Sequence, residues 1–237
     1  MRSLRLYIIR HADPDYANKT ITAAGHLEAQ ALAERMKAEG INRIYTSPLG
    51  RARHTMEYTA TAMGLPFEVE EWTQEIPNMG VEDVSLGKVA AWNVDGAVIR
   101  SQSPMPTQDS WSSQAPFEAP KFNTIFEDLK RHSDEFLARH GYRRKEGEYR
   151  IESANRERLA VFCHGGFGLT WISHLLEIPV PLVWTGFLLA PSSVTTILFD
   201  ERGPTTAVPR CLGLSDTSHL YKAGLPIQAA GIVANFD

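Results

Sequence analysis

The chain has little of what marks several large protein classes. Its 237 residues include only two cysteines, Cys163 and Cys211, too few for the disulfide framework of a small secreted protein. No apolar run reaches the roughly 18 residues of a membrane-spanning helix. The first ten residues lack the apolar core and cleavage site of a signal peptide. We therefore expect a cytoplasmic protein with no membrane partner.

Excess positive charge and the common nucleotide-binding motifs are also missing. With 24 basic and 28 acidic residues, the formal net charge is −4. A general nucleic-acid binder needs a basic face that displaces counterions, so nucleic acid is not an expected partner. The chain contains no GxxxxGK(S/T) loop and no GxGxxG after a strand. Its composition, with 43% hydrophobic residues, suits one α/β domain with an insertion.

Short apolar runs alternate with helical patterns at both ends of the chain. The predicted strands are 4–9, 41–46, 67–72, 159–163, 194–199 and 205–212, and the predicted helices in these parts are 23–39, 51–63 and 167–177. The β-α-β order predicts an α/β three-layer sandwich, in which a mostly parallel sheet is flanked by helices on both faces. The last two strands are expected to form an antiparallel pair.

Residues 76–158 interrupt this rhythm. Prolines among Ser and Gln predict an irregular loop over 101–120, and an apolar stripe predicts a helix over 124–139. We interpret 76–158 as a cap or lid inserted into a single domain that spans 1–237. Its aromatic side chains either fill the core of the cap or cover the organic part of a substrate. These aromatic residues are Trp92, Trp111, Phe117 and Phe122.

Basic side chains follow three of the predicted strands. Arg10 and His11 end the first strand, Arg51 begins the helix after the second, and His164 follows LAVFC directly. Ligands of open parallel sheets bind outside the carboxyl ends of the strands, so we expect these four groups on one rim. Such a rim needs an anion, and arginine forks with imidazoles suit a phosphoryl group. Gly165 and Gly166 come just before the next helix, whose N-terminal amides can also point at the anion.

A metal-dependent site is the weaker interpretation of the same region. His11, Asp13 and Asp15 alternate nitrogen and oxygen ligands. The DPD sequence also has the D-x-D form of phosphatases that use an aspartate nucleophile. That motif should start directly at the strand end and continue with Thr or Val. Here it starts late and continues with Tyr16.

Five segments together resemble a known family. They are LYIIRHA at 6–12, ITAAGHLEAQALAERM at 21–36, YTSPLGRARHT at 45–55, Glu75 after a strand, and VFCHGG at 161–166. Their order is similar to that of the histidine phosphatase superfamily, which includes the cofactor-dependent phosphoglycerate mutases. The resemblance covers the sheet domain at both ends of the chain. The middle of the chain matches only in being an insertion.

The resemblance implies an enzyme that needs neither metal nor cofactor and acts on a small phosphorylated substrate. His11 would be the nucleophile that becomes phosphohistidine. Glu75 would protonate the leaving oxygen and then deprotonate the attacking water. The side chains implied to bind and stabilise the phosphoryl group are those of Arg10, Arg51 and His164.

Two departures from the family pattern bear on the choice of activity. Ala12 follows the nucleophile where many members have Gly, and RHADPDYAN replaces the RHGxSxWN of the mutase branch. The second departure favours a phosphatase that hydrolyses a small phosphate monoester. Two alternatives stay open: a phosphoglycerate-mutase-like phosphotransferase, and a catalytically silent phospholigand-binding module supported only by Ala12.

Neighbouring residues receive structural interpretations. Cys163 adjoins His164, but adjacent strand residues point to opposite faces, so we expect a buried thiol there. Glu75 is preferred over nearby carboxylates because of its spacing from the strand and its QEIP context; these neighbours are Glu68, Glu70 and Glu71. His219 follows the last strand, and the sequence leaves open whether its side chain lies at the rim or in the core.

Overall fold

The computed structural model describes residues 3–83 and 87–230. Strands in this part of the chain are β1 Arg5–Arg10, β2 Pro14–Asp15, β3 Thr20–Ile21, β4 Arg43–Thr46, β5 Phe67–Val69, β6 Gly80–Asp83, β7 Gly87–Ala90, β8 Tyr142–Lys145, β9 Glu148–Ile151, β10 Arg158–Cys163, β11 Val194–Asp200 and β12 Thr206–Asp216. The α-helices are α1 Ala23–Glu39, α2 Gly50–Met63, α3 Gly96–Arg100, α4 Pro120–Arg139, α5 Gly165–Leu176, α6 Val180–Gly186 and α7 Ser218–Ala223. None of these helices has the length and apolarity needed to cross a bilayer.

Eight of the strands form one sheet in the order β5-β4-β10-β1-β11-β12-β9-β8. The first four strands pair in parallel, and the remaining pairings are antiparallel. Because only β11 and β9 are reversed, six of the eight strands run in the same direction. The fold class expected from the sequence, a mostly parallel sheet flanked by helices, is confirmed.

Alternate side chains of β1 enter two separate cores. Tyr7 and Ile9 pack with Leu32 of α1 and Met56 of α2 on one face. Even-numbered residues of β1, such as Ile8, belong to a larger core that also contains side chains of α4, α5 and α6. This period-two alternation places helices on both faces and leaves the strand ends facing the rim.

Helix α1 begins and ends where its sequence predicts. The Thr22 Oγ1 accepts the N–H of Gly25 at 3.0 Å, which satisfies one of the free donors of the first turn. Gly40 closes the helix with φ of +67°, a left-handed conformation that disfavours a Cβ. Local signals therefore determine both ends of this helix.

The segment 76–158 contains more regular structure than its sequence predicted. Helix α4 begins at Pro120, and β8 and β9 form a hairpin that joins the main sheet through β12. Tyr142 and Tyr149 are fully buried, whereas Arg143 between them pairs with Glu152 at the surface. The many charged residues of this stretch hide the alternation in the sequence. That 76–158 acts as a cap or lid stays a prediction.

Replacing the helix cap provides a test of the first helix. Thr22→Ala is expected to lower the free energy of unfolding by about 1 kcal/mol, because the N–H of Gly25 loses its acceptor. Thr22→Ser keeps the hydroxyl and is the matched control. Urea unfolding followed by circular dichroism measures both. Equal losses in the two variants would contradict a role for the cap.

Candidate active site

Three neighbouring strands of the sheet bring the predicted basic residues to one edge. Arg10 ends β1 and His11 follows it, while His164 comes directly after β10. The two imidazole centroids lie 5.2 Å apart, with the rings tilted by 57°. Arg51, in the first turn of α2, lies on the same side because β4 pairs with β10. The four side chains therefore surround one small region of space.

A cavity of about 690 Å³ adjoins this edge, and the buried side chains of His11 and His164 are not among those that line it. Four predicted residues line it: Arg10, Arg51, Glu75 and Gly165. Of the carboxylates considered near Glu75, Glu70 instead pairs with Arg139 at 2.5 Å, and Glu68 and Glu71 are exposed. Glu75 is therefore the carboxylate of this group that faces the cavity.

His11 is held in one tautomer by its own chain. Its Nδ1 lies 2.8 Å from the carbonyl oxygen of Ala12. A carbonyl only accepts, so Nδ1 carries the proton and Nε2 carries the free lone pair. Burial holds the pKa of His11 well below its usual range, and the charges of Arg10 and Arg51 lower it further. The ring is therefore a neutral imidazole with a nucleophilic Nε2.

His164 has one nitrogen engaged and one available. Its Nε2 lies 2.8 Å from the Ser47 Oγ, while its buried Nδ1 has no partner in the described part of the chain. Burial lowers the pKa of His164 well below its usual range, and the charges of Arg51 and Arg10 act in the same direction. If Ser47 donates to Nε2, then Nδ1 carries the hydrogen that an anion can receive.

The two arginines are oriented by different contacts. Arg10 is buried and donates from its two Nη atoms to the carbonyls of Leu189, at 2.5 Å, and Ala230, at 2.9 Å. The Arg51 guanidinium lies 5.4 Å from the centroid of the Tyr16 ring. The Nε atoms of both arginines are buried without a partner among the described residues. Buried donors left unpaired beside a cavity indicate a site for an anion.

Glu75 is bound at the start of helix α5. Its Oε1 accepts the N–H of Phe167 at 2.8 Å and that of Ile76 at 3.2 Å, and its Oε2 accepts the N–H of Gly166 at 3.2 Å. Burial raises the pKa of the Glu75 carboxyl, and these N–H donors oppose the rise. Two amides of the α5 N-terminus are thus occupied by Glu75. Gly165 lines the cavity, and its contact with an anion stays a prediction.

Comparison with known proteins agrees with this geometry. A family model for the histidine phosphatase superfamily (branch 1) matches residues 6–210 of the chain. The chain belongs to the histidine phosphatase superfamily. The resemblance inferred from the five sequence segments is therefore confirmed, and it extends across the inserted segment.

Two curated proteins match a part of the chain. The probable phosphoglycerate mutase GpmB of Photorhabdus laumondii is 32% identical over 87 residues, which are 33% of this chain and 40% of that protein. The protein of the same name from Shigella dysenteriae is 33% identical over 91 residues, which are 35% and 42% of the two chains. The matched segment thus spans about 40% of the length of these relatives.

Solved histidine phosphatases share the fold over almost the whole chain. Phosphoserine phosphatase of Entamoeba histolytica, in complex with 3-phosphoglyceric acid, superposes with a TM-score of 0.59 at 20% identity and covers 92% of this chain and 99% of its own. A mycobacterial glucosyl-3-phosphoglycerate phosphatase has a TM-score of 0.56 at 19% identity and covers 91% and 99%. At these identities the likeness establishes the fold.

The structure answers the question raised by Ala12 in this histidine phosphatase. Its side chain is fully buried in a small apolar cluster with Ile21 and Ala29. Its N–H donates to the Thr55 Oγ1 at 2.9 Å, and the Thr55 hydroxyl donates to the Arg51 carbonyl at 2.7 Å. The methyl group therefore occupies the core and does not line the cavity. Thr55, four residues after Arg51 on the same helix face, is a site residue that the sequence reasoning missed.

A buried carboxyl group lies directly behind the same loop. Glu28 of α1 is 2% exposed, and its Oε2 accepts the N–H of Asp13 at 3.0 Å. Burial raises the pKa of Glu28 to about 7. An acidic residue within the apolar stripe of α1 was the sequence signal for this position. His219 also lies behind the loop, 3.1 Å from the Ser192 Oγ, and does not line the cavity.

Glu28 makes stability depend on pH in a direction opposite to that of most carboxylates. Folding raises the pKa of Glu28 from 4.5 to about 7. The protonated carboxyl therefore contributes its full stabilisation of the folded state below pH 4.5. That stability is lost as pH rises to about 7, a change of up to about 3 kcal/mol. Glu28→Gln stays neutral and retains the acceptor for Asp13. We expect its advantage over wild type in urea unfolding to grow from pH 5 to pH 8.

The control for this prediction is Glu127→Gln, the same chemical change at a side chain that is 55% exposed. It should leave the pH profile of unfolding unchanged. A Glu28→Gln profile parallel to that of wild type would show that Glu28 does not change its protonation state on folding.

Proposed function

We propose that this histidine phosphatase hydrolyses small phosphate monoesters through a phosphohistidine formed on His11. The observation that carries the proposal is a set of three buried nitrogens without partners in the described chain, around a neutral imidazole. They are the Nε of Arg10, the Nε of Arg51 and the Nδ1 of His164. A phosphoryl group presents several oxygens and a negative charge, and it can receive hydrogens from all three.

The first chemical step uses the lone pair on the His11 Nε2. This nitrogen attacks phosphorus, the N–P bond forms, and the bond from phosphorus to the ester oxygen breaks. Glu75, protonated, gives its proton to the departing oxygen, which leaves as a neutral alcohol. The pKa of Glu75, raised by burial, supports this role, and a bound phosphate dianion would raise it further. Arg10, Arg51 and His164 stabilise charge on the transferring phosphoryl oxygens.

The second step regenerates the enzyme. Glu75, now ionised, accepts a proton from water as the water oxygen attacks phosphorus and the N–P bond breaks. Inorganic phosphate leaves, and His11 returns to its neutral form. The hydrogen bond from Nδ1 to the Ala12 carbonyl persists through both steps and keeps the nucleophilic nitrogen directed at the phosphoryl group.

The substrate class draws support from relatives and from the cavity. Phosphoserine phosphatase of Entamoeba histolytica has been solved with phosphoserine and with 3-phosphoglyceric acid, both phosphate monoesters. We extend the proposal to the inserted segment, whose residues 92–95 line the cavity and would limit the access of water. Trp111, Phe117 and Phe122 are at most 2% exposed and fill the core instead.

The proposed steps use only water and side chains of this protein. Among the described residues, no group of three or more His, Cys, Asp or Glu side chains is arranged to hold one. The phosphotransferase alternative is favoured by the similarity to proteins named phosphoglycerate mutase. It differs in one measurable way, because a mutase requires a diphosphorylated primer and returns the phosphoryl group to an acceptor alcohol.

Removal of the nucleophile tests the proposal directly. His11→Ala is expected to lower kcat on p-nitrophenyl phosphate by at least about 1000-fold, since no group remains to form the covalent intermediate. Wild-type activity should be unchanged by excess EDTA and should need no primer. Full activity of the variant, or loss of wild-type activity with EDTA, would overturn the mechanism. Strict dependence on a primer would favour the mutase.

The Glu75→Gln variant separates the two steps. It cannot donate a proton, so we expect hydrolysis of an alkyl phosphate to fall by more than about 100-fold. p-Nitrophenyl phosphate has a good leaving group, so the activity of the variant on this ester should fall less. A burst of p-nitrophenol should appear as phosphohistidine accumulates. Wild-type activity on the alkyl ester should decline as pH rises through the raised pKa of Glu75. Equal losses on both esters without a burst would contradict the assignment.

A further inference from the structure

The cavity continues well beyond the space that a phosphoryl group needs. Its volume of about 690 Å³ lies within the range of pockets that enclose a whole small molecule, about 300–1,000 Å³. The outer part lies between the inserted segment and helices α5 and α6. We call it the outer wall; its apolar members are Trp92, Val94, Leu169, Trp184 and Phe187.

Two tryptophans hold the outer wall in place. A Cβ at Gly166 would lie 2.5 Å from ring atoms of Trp92, so this indole rests directly on the start of α5. Trp184 is 1% exposed, and its Nε1 donates to the Thr170 Oγ1 at 2.9 Å. The only polar atom of that side chain is therefore satisfied. Because Trp184 is buried, the ring surface open to a ligand is that of Trp92 and Phe187.

The charges around the cavity are segregated. Among the described residues that line it, the basic ones are Arg10 and Arg51, both at the phosphoryl end. The charged side chain on the outer wall is Asp95, an acid. Its Oδ1 accepts the N–H of Ala97 at 2.8 Å, as the N-cap of α3. The described residues that line the outer part thus present aromatic rings, the uncharged polar side chains of Asn93 and Thr185 and one acid, and they include no cation.

We propose that the preferred substrates are phosphate monoesters of uncharged, largely apolar or aromatic alcohols, and that the outer wall selects against esters that carry a carboxylate. This inference rests on the proposed function, because it places the phosphoryl group among Arg10, Arg51 and His164. An aromatic leaving group would then lie between Trp92 and Phe187. A carboxylate there would leave water for an apolar wall without a cation, beside the negative charge of Asp95.

Matched aryl esters measure this selectivity. Phenyl phosphate and 4-carboxyphenyl phosphate present the same ring to the wall, and the carboxyphenol is no worse as a leaving group. We expect wild type to show a kcat/KM for phenyl phosphate at least tenfold higher. An equal or higher kcat/KM for the carboxylated ester would overturn the inference, since chemistry alone does not favour phenyl phosphate.

A cation placed on the outer wall should weaken the preference for phenyl phosphate over the carboxylated ester. Phe187 is 42% exposed at the cavity rim, so Phe187→Arg can be accommodated, and we expect it to narrow the ratio at least tenfold by favouring the carboxylated ester. Tyr221→Arg adds the same charge at a side chain that is 91% exposed and outside the cavity. This control should keep the wild-type ratio. If both variants change the ratio of the two kcat/KM values equally, selectivity depends on the overall charge of the protein and the inference is overturned.

A second variant changes the wall without adding bulk. Asp95→Asn retains an oxygen that can accept the N–H of Ala97 and removes only the charge. The ratio of kcat/KM for phenyl phosphate to that for the carboxylated ester is expected to fall at least threefold. If neither Asp95→Asn nor Phe187→Arg changes the ratio of the two kcat/KM values, the outer wall does not discriminate between leaving groups.

Ligand binding distinguishes failure of this inference from failure of the proposed function. Calorimetry with His11→Ala measures the affinity for the two esters without turnover, and phenyl phosphate is expected to bind at least tenfold more tightly. Tighter binding of phenyl phosphate by a wild type that hydrolyses neither ester would overturn the phosphatase and keep the wall selectivity. Hydrolysis of both esters with equal kcat/KM, together with equal affinities for the two esters, would keep the phosphatase and overturn the wall selectivity.

Discussion

The hydrogen bond between the His11 Nδ1 and the Ala12 carbonyl, 2.8 Å long, is the constraint on which the site depends. It sets the tautomer, and the tautomer decides which ring nitrogen carries the free lone pair. The bond is useful only if the backbone of 11–13 is immobile. Three contacts hold that backbone: Thr55 binds the N–H of Ala12, Glu28 binds the N–H of Asp13, and the N–H of Ser192 donates to the His11 carbonyl at 3.0 Å.

This arrangement concentrates groups that are costly to bury. Arg10, His11 and His164 are at most 4% exposed, and Glu28 is buried behind them. Desolvation lowers the pKa of each histidine and raises that of Glu28. Neutral imidazoles limit the repulsion among the cationic groups until an anion enters. The large apolar cores on both faces of the sheet supply the stability that this part of the molecule lacks.

Local chemistry made much of the fold predictable. Thr22 and Gly40 mark the ends of α1. The apolar runs before His11 and His164 mark β1 and β10. Because neighbouring strands of this kind pair in parallel, the basic groups that follow them were expected at one edge of the sheet. Tertiary effects account for the errors. The burial of Tyr142 and Tyr149 was hidden among charges, and the use of the α5 amides by Glu75 depends on where a distant loop returns.

The parallel pairing of β1 with β10 also determines when the site can exist during synthesis. Synthesis reaches His164 about 150 residues after His11, and the carbonyl of Ala230 that receives Arg10 later still. A nascent chain therefore carries His11 long before His164 can lie beside it. Such long-range contacts also slow folding. The edge that gathers the basic side chains is thus completed only after β10 has paired with β1.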